Sequence, residues 1–367
     1  MTSEQLKYYI ALSFIPGVGD IIAKNIIAYI GSAEGIFKEK KQTLLRIPKV
    51  GEYLAESITN ADTLKKAENE ILFIEKHNIK AVAFNEEGYP ARLKQCEDAP
   101  IVLFIKGNCN INAPKSIAIV GTRNATSYGK EFCKQLIIDL KQHNALIVSG
   151  LAYGIDICAH KNALENGLET IGVLGHALDT IYPADHRTIA KEILEHGALI
   201  TEHCSKSSID KSNFVTRNRI IAGLTDATIV VESGEKGGAL ITTEYANNYN
   251  RDVMALPGRV TDKYSIGCNN LINKNKAALI TSVKDIEYLL NWEVNNSKKK
   301  EQQKSLFVEL SQEEDQIMKI ISKEQDINID IVSSRSKLPM NKVSAILLGL
   351  EFKGLIKTMP GKRFSLT

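Results

Sequence analysis

The sequence predicts an α/β protein built on a doubly wound, mostly parallel sheet, with a helical region before it and a small domain after it. Three observations support this prediction. Short apolar segments typical of buried strands alternate with amphipathic helical segments from residue 115 to residue 258. The first 75 residues have a helical pattern interrupted by two similar turns. A polar, lysine-rich linker at residues 295–304 then precedes a segment with its own helices.

The composition narrows the class of protein. The chain has 367 residues, with 44% hydrophobic and 24% charged residues, which is typical of a globular protein of two or three domains. The formal net charge is only +3, so any basic surface must be local. Six widely spaced cysteines without a C-x-x-C pair predict neither a metal site nor a disulfide framework. We find no signal-peptide pattern and no membrane span, and therefore expect a cytoplasmic protein.

The helical region, residues 1–75, contains the turns FIPGVGDIIAK and RIPKVGEYLAE. In each, an apolar residue and a glycine enter a helix, which is the helix-hairpin-helix pattern. Backbone amides in such a turn can contact DNA phosphate without reading bases. A plain helical bundle, with glycine and proline only as helix ends, explains the same residues. Two copies predict the motif and leave its contact with DNA open.

The central region, residues 76–294, shows a regular strand and helix alternation. We predict strands at residues 79–84, 101–106, 115–121, 145–150, 169–175, 198–202, 227–231 and 252–258. Helical segments separate most of them, as in a Rossmann-like fold. The carboxyl ends of the parallel strands should then form the ligand crevice.

The usual nucleotide cofactors are not expected in this crevice. The first parallel strand ends in GTRNATSYG, where Arg123 occupies the position of the second glycine of a dinucleotide motif. The next strand ends in Ser149-Gly150 instead of the acidic residue that would hold a ribose. The chain also lacks a G-x-x-x-x-G-K-[ST] motif, so no P-loop is predicted. We expect no cofactor.

Residues suited to bind anions remain at the strand ends. Arginine fits phosphate oxygens, and an aromatic ring such as that of Phe214 can stack on an unpaired base. Of Arg217 and Arg219, we expect one to bind phosphate and the other to pair with an acid, whereas Asn218 could equally hold a loop. The predicted binding residues are Gly121, Thr122, Arg123, Ser149, Gly150, Lys211, Phe214, Arg217, Asn218, Arg219, Lys236, Gly237 and Gly238.

Asp156 and His160 are the pair most suggestive of catalysis. They lie four residues apart near a helix start and could form an acid–base couple. An acid in the first helical turn paired with a histidine one turn later is the structural alternative, and we favour it. No nucleophile is evidently matched to them. We therefore predict no catalytic residue.

The C-terminal segment, residues 305–367, reads as a winged helix. Ser311 and Glu314 form a capping box, Pro339 begins a later helix, and two short strands flank Pro360-Gly361. From Ile331 to Thr367 there are seven lysines or arginines against one acid. Such a domain could contact nucleic acid or dock a protein, and the sequence leaves both open.

The motifs IVGTRNATSYG, IVSGLAYGIDICAH, VLGHALDTIYP, FVTRNRIIAGL, VVESGEKGGALITTEYA and ALPGRVTDKYSIGCNNLI stand in order over residues 79–290. In this the chain resembles the DprA/Smf family. The resemblance implies a bacterial single-stranded DNA-binding protein that protects incoming DNA during natural transformation and loads RecA onto it. It also implies dimerisation through the Rossmann-like domain. The family's DNA pocket maps onto residues 121–123, Lys211, Phe214 and residues 217–219.

The sequence thus predicts a recombination mediator without enzymatic activity, with single-stranded DNA, a RecA-type recombinase and a second copy as partners. An enzyme is the alternative. GEKGGALITTEYA also resembles the glycine-rich turn and helix of lysine-decarboxylase-like nucleoside-monophosphate hydrolases. Glu244 and Arg219 would then be the catalytic candidates. The flanking helical and winged-helix segments favour the mediator.

Overall fold

The computed structural model describes residues 1–59, 62–292, 310–322, 327–353, 355–359 and 363–366. The chain divides into two compact units, Met1–Asn295 and Asn296–Thr367. The predicted linker at residues 295–304 lies outside the described residues. Among those described, no helix is long and apolar enough to cross a membrane.

The first unit begins with short helices that contain both predicted turns. One turn joins α1 (Ser3–Ser13) to α2 (Asp20–Ile30), and the other joins α4 (Lys41–Leu44) to α5 (Glu52–Thr59). Gly17 in the first turn has a φ of +81°, and Lys49, at the matching position of the second, has a φ of +68°. The two turns therefore share a left-handed residue, which glycine adopts at less cost than lysine. The helices are α1 (Ser3–Ser13), α2 (Asp20–Ile30), α3 (Ala33–Lys38), α4 (Lys41–Leu44), α5 (Glu52–Thr59) and α6 (Asp62–Lys76).

A mostly parallel sheet follows, as predicted, and it has nine strands in the described part of this unit. Its strands are β1 (Lys80–Ala83), β2 (Val102–Gly107), β3 (Ser116–Val120), β4 (Leu146–Ser149), β5 (Thr170–Val173), β6 (Gly197–Thr201), β7 (Ala227–Val230), β8 (Asp252–Ala255) and β9 (Ala278–Leu279). The helices are α7 (Ala91–Lys94), α8 (Ser127–Leu140), α9 (Ile155–Glu165), α10 (Arg187–His196), α11 (Lys211–Thr216), α12 (Asn218–Gly223), α13 (Gly238–Asn248), α14 (Ile266–Asn273) and α15 (Val283–Leu289).

The strand order is β1-β2-β6-β5-β4-β3-β7-β8-β9. β1 pairs antiparallel with β2, and β2 pairs antiparallel with β6. The other seven strands, β6, β5, β4, β3, β7, β8 and β9 in spatial order, run parallel to one another. From β3 the chain adds strands on one side up to β6, and then returns to place β7 on the other side of β3. The switch point of the sheet thus lies between β3 and β7, where Val120 pairs with Val230. A ligand crevice is expected at this place.

Burial explains why the strands have continuous apolar sequences. In β3, Ala118 and Val120 pack into one hydrophobic cluster, and Ile117 and Ile119 pack into another. Because helices cover both faces of a parallel sheet, the side chains on both faces are buried. The helical region shares a core with the antiparallel edge of the sheet, to which Phe104 in β2 contributes.

Several short elements in this unit were not predicted. One is the helix α11, which precedes α12 with Arg217 between the two. The edge strand β9 and the helix α14 were not predicted. β9 has only two residues, too few to show any periodicity.

Within its described residues, the second unit has the predicted three helices and strand pair. The elements are α16 (Gln312–Ile321), β10 (Ile327–Asn328), α17 (Ile329–Ser336), α18 (Met340–Phe352), β11 (Ile356–Met359) and β12 (Arg363–Leu366), and the strand order is β10-β12-β11. Glu314 donates its backbone N–H to Ser311 Oγ, which confirms the capping box. Ile317, Val332 and Leu347 belong to the small core. The added strand β10 completes the winged helix.

Candidate functional site

A cleft of about 960 Å³ opens at the switch point, at the carboxyl ends of β3 and β7. The loop after β3, residues 120–124, forms one wall, and the loop after β7, residues 233–238, forms another. The α11–α12 segment contributes a third side. Ten predicted binding residues line this cleft: Gly121, Thr122, Arg123, Lys211, Phe214, Arg217, Asn218, Lys236, Gly237 and Gly238.

Three predicted binding residues do not line the cleft. Ser149 is fully buried, and its Oγ donates to the carbonyl of Ile119 at 2.6 Å. The Gly150 N–H donates to the Asp156 carboxylate at 3.1 Å. Ser149 and Gly150 are therefore hydrogen-bonded within the protein beneath the cleft, and neither is available to a ligand. Arg219, the third, lies in a different interface.

Hydrogen bonds hold the loop after β3 in place, and Arg123 is exposed on this loop. The Thr122 N–H donates to the Glu232 carbonyl at 2.7 Å, and the Thr122 carbonyl accepts from the Ile155 N–H at 3.2 Å. The buried Glu232 carboxylate also accepts the Thr126 N–H at the start of α8. Arg123 itself is exposed and makes no ion pair with any described residue. Its guanidinium is free to bind phosphate.

The opposite wall ends in the N-terminus of α13. Gly237 is the N-cap residue, and no side chain caps this 11-residue helix. The first N–H groups of a helix lack intrahelical partners and favour an anion. A Cβ built on Gly238 would meet nothing within 4 Å, so the space before the helix is open. Lys236, exposed beside it, adds a positive charge.

Two aromatic rings stand in the cleft. The Phe214 and Tyr182 ring centroids are 5.5 Å apart, and Tyr182 is 51% exposed. Phe214 is half-buried because it packs closely over Gly175, where an added Cβ would lie 3.0 Å from the Phe214 ring. The aromatic pair provides a platform for an unpaired base. Tyr182 was not predicted as a binding residue.

Arg217 forms part of the floor of the cleft and is only 4% exposed. Its Nη1 donates to the Gly150 carbonyl at 2.7 Å and to the Val173 carbonyl, so it joins the ends of β4 and β5. Burial lowers the pKa of Arg217 to about 10, and the nearby Asp156 carboxylate opposes this shift. The residue therefore stays cationic at neutral pH, and much of its hydrogen bonding is internal.

Arg219 lies away from the cleft, between the sheet and the helical region. Its Nη2 is 3.0 Å from Asp20 Oδ2 and also pairs with Glu202, and its Nη1 donates to the Asp98 carbonyl at 2.7 Å. At 5% exposure, this guanidinium is committed to protein groups. The expectation that one of the two arginines pairs with acids thus describes Arg219, and we propose no phosphate contact for it.

Asn218 and the pair Asp156 and His160 have structural partners. Asn218 Nδ2 donates to the Gly238 carbonyl at 3.2 Å, which holds α12 to the start of α13. His160 Nδ1 lies 2.7 Å from Thr170 Oγ1, whereas Asp156 accepts from Gly150. The expected pairing of Asp156 with His160 is therefore wrong. Burial lowers the pKa of His160 to about 3, so it is neutral.

The sequence also missed residues of the cleft that follow β8. Lys263 is exposed, and its Nζ lies 5.6 Å from the centre of the Tyr264 ring. The Tyr264 carbonyl accepts the Ser233 N–H at 2.7 Å, which joins this loop to the one after β7. β8 ends at the same edge of the sheet as β7. Lys263 follows β8 only after a long loop, so the residues next to the strand end gave no signal for it.

Comparison with known proteins now gives the family. Residues 80–291 match the family model described as DNA recombination-mediator protein A, and residues 302–362 match the DprA winged helix domain. The chain belongs to the DprA/Smf family. The matched descriptions name DNA processing and recombination mediation.

Similarity to individual DprA/Smf proteins covers most of the chain. Protein Smf from Synechocystis sp. is 30% identical over 398 aligned residues, with 99% of each chain covered. DNA processing protein DprA from Streptococcus pneumoniae is 34% identical over 271 residues, which span 68% of this chain and 95% of the relative.

Two solved DprA structures share the fold. The X-ray structure of DprA from Streptococcus pneumoniae has a TM-score of 0.64 at 30% identity, over 80% of this chain and 99% of that one. DNA processing protein A from Helicobacter pylori, described for its single-stranded DNA binding mode, has a TM-score of 0.53 at 29% identity. That match covers 58% of this chain and 95% of the Helicobacter pylori chain.

Proposed function

We propose that this chain is a single-stranded DNA-binding recombination mediator and that the switch-point cleft holds the strand. The observation that carries the proposal is the pairing of free cations with aromatic rings in one cleft. Arg123 and Lys236 are exposed on opposite walls, and the Phe214–Tyr182 pair lies in the same cleft. Proteins that bind single strands combine these two features.

Each group has a distinct task in this proposal. Arg123, Lys211 and Lys236 bind phosphate oxygens, and the uncapped start of α13 supplies backbone N–H donors to a phosphate. Phe214 stacks on a base, which is possible only if that base is unpaired. Arg217 keeps the floor in place and adds a buried positive charge, since its Nη1 is already bonded to two carbonyls.

The cellular role we propose is to protect incoming single-stranded DNA during natural transformation and to load a RecA-type recombinase onto it. The family membership and the single-stranded DNA binding of the Helicobacter pylori relative support this role. We further propose that the chain acts as a homodimer, which would place two clefts along one strand. Because a flexible strand bound at two clefts dissociates more slowly, dimerisation would strengthen protection.

The hydrolase alternative has less support from the geometry. It requires Glu244 and Arg219 to act on one substrate, yet neither residue lines the cleft. Glu244 is exposed on α13, whereas Arg219 is buried among Asp20 and Glu202. We therefore propose that the chain is not an enzyme. Release of free base from nucleoside monophosphates by the wild type, lost in Glu244→Gln, would favour the enzyme instead.

Binding of a labelled oligonucleotide at two salt concentrations tests the site. We expect Arg123→Ala/Lys236→Ala to weaken binding by about tenfold or more, because charge-assisted phosphate contacts are lost. The dependence on salt should become shallower by about 0.7 in log–log slope for each contact removed. The matched control is Lys191→Ala/Lys284→Ala, which removes two exposed lysines outside the cleft. Equal affinity and slope in both variants would exclude the cleft.

Recombinase loading is measured separately. A single strand covered with single-strand-binding protein is offered to a RecA-type recombinase, with and without this chain, and filament growth is followed. We expect the wild type to shorten the delay before growth and the Arg123→Ala/Lys236→Ala variant to do so far less. A wild type that binds the strand but leaves the delay unchanged would limit the function to DNA protection.

A further inference from the structure

A second groove lies beside the switch-point cleft, between helices α8 and α9. Its volume is about 820 Å³. Five residues of α9 line it at helical spacing, which places them on one face of the helix. The lining includes Arg123, Lys130, Tyr153, Cys158, Lys161 and Glu165.

The two grooves meet at the loop after β3. Arg123 and Asn124 line both of them, so this loop is the ridge that separates one from the other. Thr122, in the same loop, is fixed by hydrogen bonds to Glu232 and Ile155. A flexible chain that crosses the ridge would therefore pass Arg123 and enter the second groove directly.

The charge of the second groove is positive. Lys130 on α8 and Lys161 on α9 are both exposed, and neither makes an ion pair within the described parts of the chain. With Arg123 they give three cations against one acid, Glu165. Exposed lysines without acidic partners attract phosphate through long-range electrostatics.

An aromatic ring is held in place at the end of this groove. Tyr153 Oη donates to Asp185 Oδ2 at 2.7 Å, and the edge of the ring packs on His186 with 4.8 Å between centroids. Even so, the Tyr153 side chain remains 43% exposed. A ring that is fixed and still exposed is suited to stacking with a base, because little side-chain freedom is lost on binding.

We propose that the groove between α8 and α9 is a second subsite for the same single strand, which continues from the switch-point cleft over Arg123. The proposal rests on the function proposed above and adds the path of the strand beyond the switch-point cleft. A single strand fits better than a duplex because an aromatic platform lies on each side of the ridge, and only unpaired bases can stack on both. Lys130 and Lys161 bind the phosphates that follow the ridge.

Oligothymidylates of two lengths test the proposal on the full chain, one of about 5 nucleotides and one of about 20. We expect Lys130→Ala/Lys161→Ala to weaken binding of the long strand about tenfold, with a slope shallower by about 0.7 per contact, and to leave the short strand unchanged. Arg123→Ala/Lys236→Ala should weaken both. The control remains Lys191→Ala/Lys284→Ala.

The outcomes separate this proposal from the function on which it rests. If Lys130→Ala/Lys161→Ala binds the long strand like wild type while Arg123→Ala/Lys236→Ala weakens both lengths, the second subsite is excluded and the proposed function stands. An equal loss for both lengths would also exclude a separate subsite. If wild type binds neither strand, both proposals fail. Tight binding of oligoglutamate, lost in the Lys130→Ala/Lys161→Ala variant, would make the groove a site for acidic peptides.

Cys158 offers a direct probe of occupancy, since it lines the second groove and is only half-buried. The neighbouring Cys133 thiol lowers the pKa of Cys158, whereas burial raises the pKa of Cys109 to about 12. Iodoacetamide should therefore alkylate Cys158 first. We expect the long oligothymidylate to slow this reaction severalfold and the short one to leave it unchanged. Equal rates with and without the long strand would overturn the proposal.

Discussion

The Arg219 guanidinium and the Asp20 carboxylate, 199 positions apart in the chain, lie 3.0 Å from each other. Asp20 is the first residue of α2, and its other oxygen accepts the Ile101 N–H beside β2. One acid at the first helix-hairpin-helix turn therefore joins the helical region to the sheet. The residue that begins the helix after the first turn is therefore already bonded to groups within the protein.

Replacing Arg219 by leucine should destabilise the protein by roughly 3–5 kcal/mol, because Asp20 and Glu202 would lose their cation in a buried interface. Urea unfolding measures the change. Lys38→Leu is the matched control, since the exposed Lys38–Glu34 pair should contribute little to stability. Oligonucleotide affinity of folded Arg219→Leu should equal that of wild type. Weaker binding with unchanged stability would identify Arg219 as a phosphate ligand.

Stability should fall in acid because His160 is buried in its neutral form. Its pKa is about 3 in the folded chain against 6.5 for an ordinary histidine, since burial disfavours the charged ring. Between these values the unfolded chain binds a proton that the folded chain does not, so stability decreases as the pH falls from about 6.5 towards 3. From pH 7 to pH 5, wild type should lose about 2 kcal/mol more than His160→Gln. Urea titrations that stay parallel for the two proteins would contradict this assignment.

Glycine is required at position 154, next to the site loop. Gly154 has a φ of +81°, and a Cβ there would lie 2.1 Å from the Thr122 carbonyl oxygen. We expect Gly154→Ala to lower stability by roughly 2–4 kcal/mol, through backbone strain and overlap together. Gly238→Ala is the control, with open space around the added methyl group and an expected change within about 0.5 kcal/mol. Similar thermal midpoints for the two variants would show that the loop changes its conformation at little cost in stability.

Phe214→Leu separates base stacking from phosphate binding. The leucine keeps apolar contact with Gly175 but has no ring, so affinity for a single strand should drop by about 1–3 kcal/mol. The slope of affinity against salt should stay that of wild type, because no cation is removed. Tyr288→Leu, at an 84% exposed position on α15, serves as control. A changed slope in Phe214→Leu would mean that the substitution displaced a phosphate contact.

The sheet and its binding edge were predictable because their signals are local. Buried parallel strands require apolar side chains on both faces, and this produced the continuous apolar segments from Ile117 onward. The strand ends also carry their glycines and cations within a few residues of each strand. Ten of the predicted binding residues consequently line one cleft. Lys263 and Tyr182, in longer loops, have no such local signal.

The separate roles of Arg217 and Arg219 were not predictable in the same way. Arg217 lies between α11 and α12, and its guanidinium donates to the carbonyls of Gly150 and Val173. One of the two acids that pair with Arg219, Asp20, comes from α2, far away in the chain. Which arginine faces a ligand depends on this tertiary packing, and helical periodicity does not contain it.

Asn218 and Arg219 are neighbours at the start of α12, yet they are bonded to two different helices. Asn218 is bonded to the first residue of α13 in the cleft, and Arg219 to the first residue of α2. A protein that binds the helical region and displaces α12 would therefore change the affinity of the cleft for its ligand. Thermodynamic reciprocity then requires the ligand to change the affinity for that protein by the same factor. Release of the strand and arrival of a partner can thus be linked events in this fold.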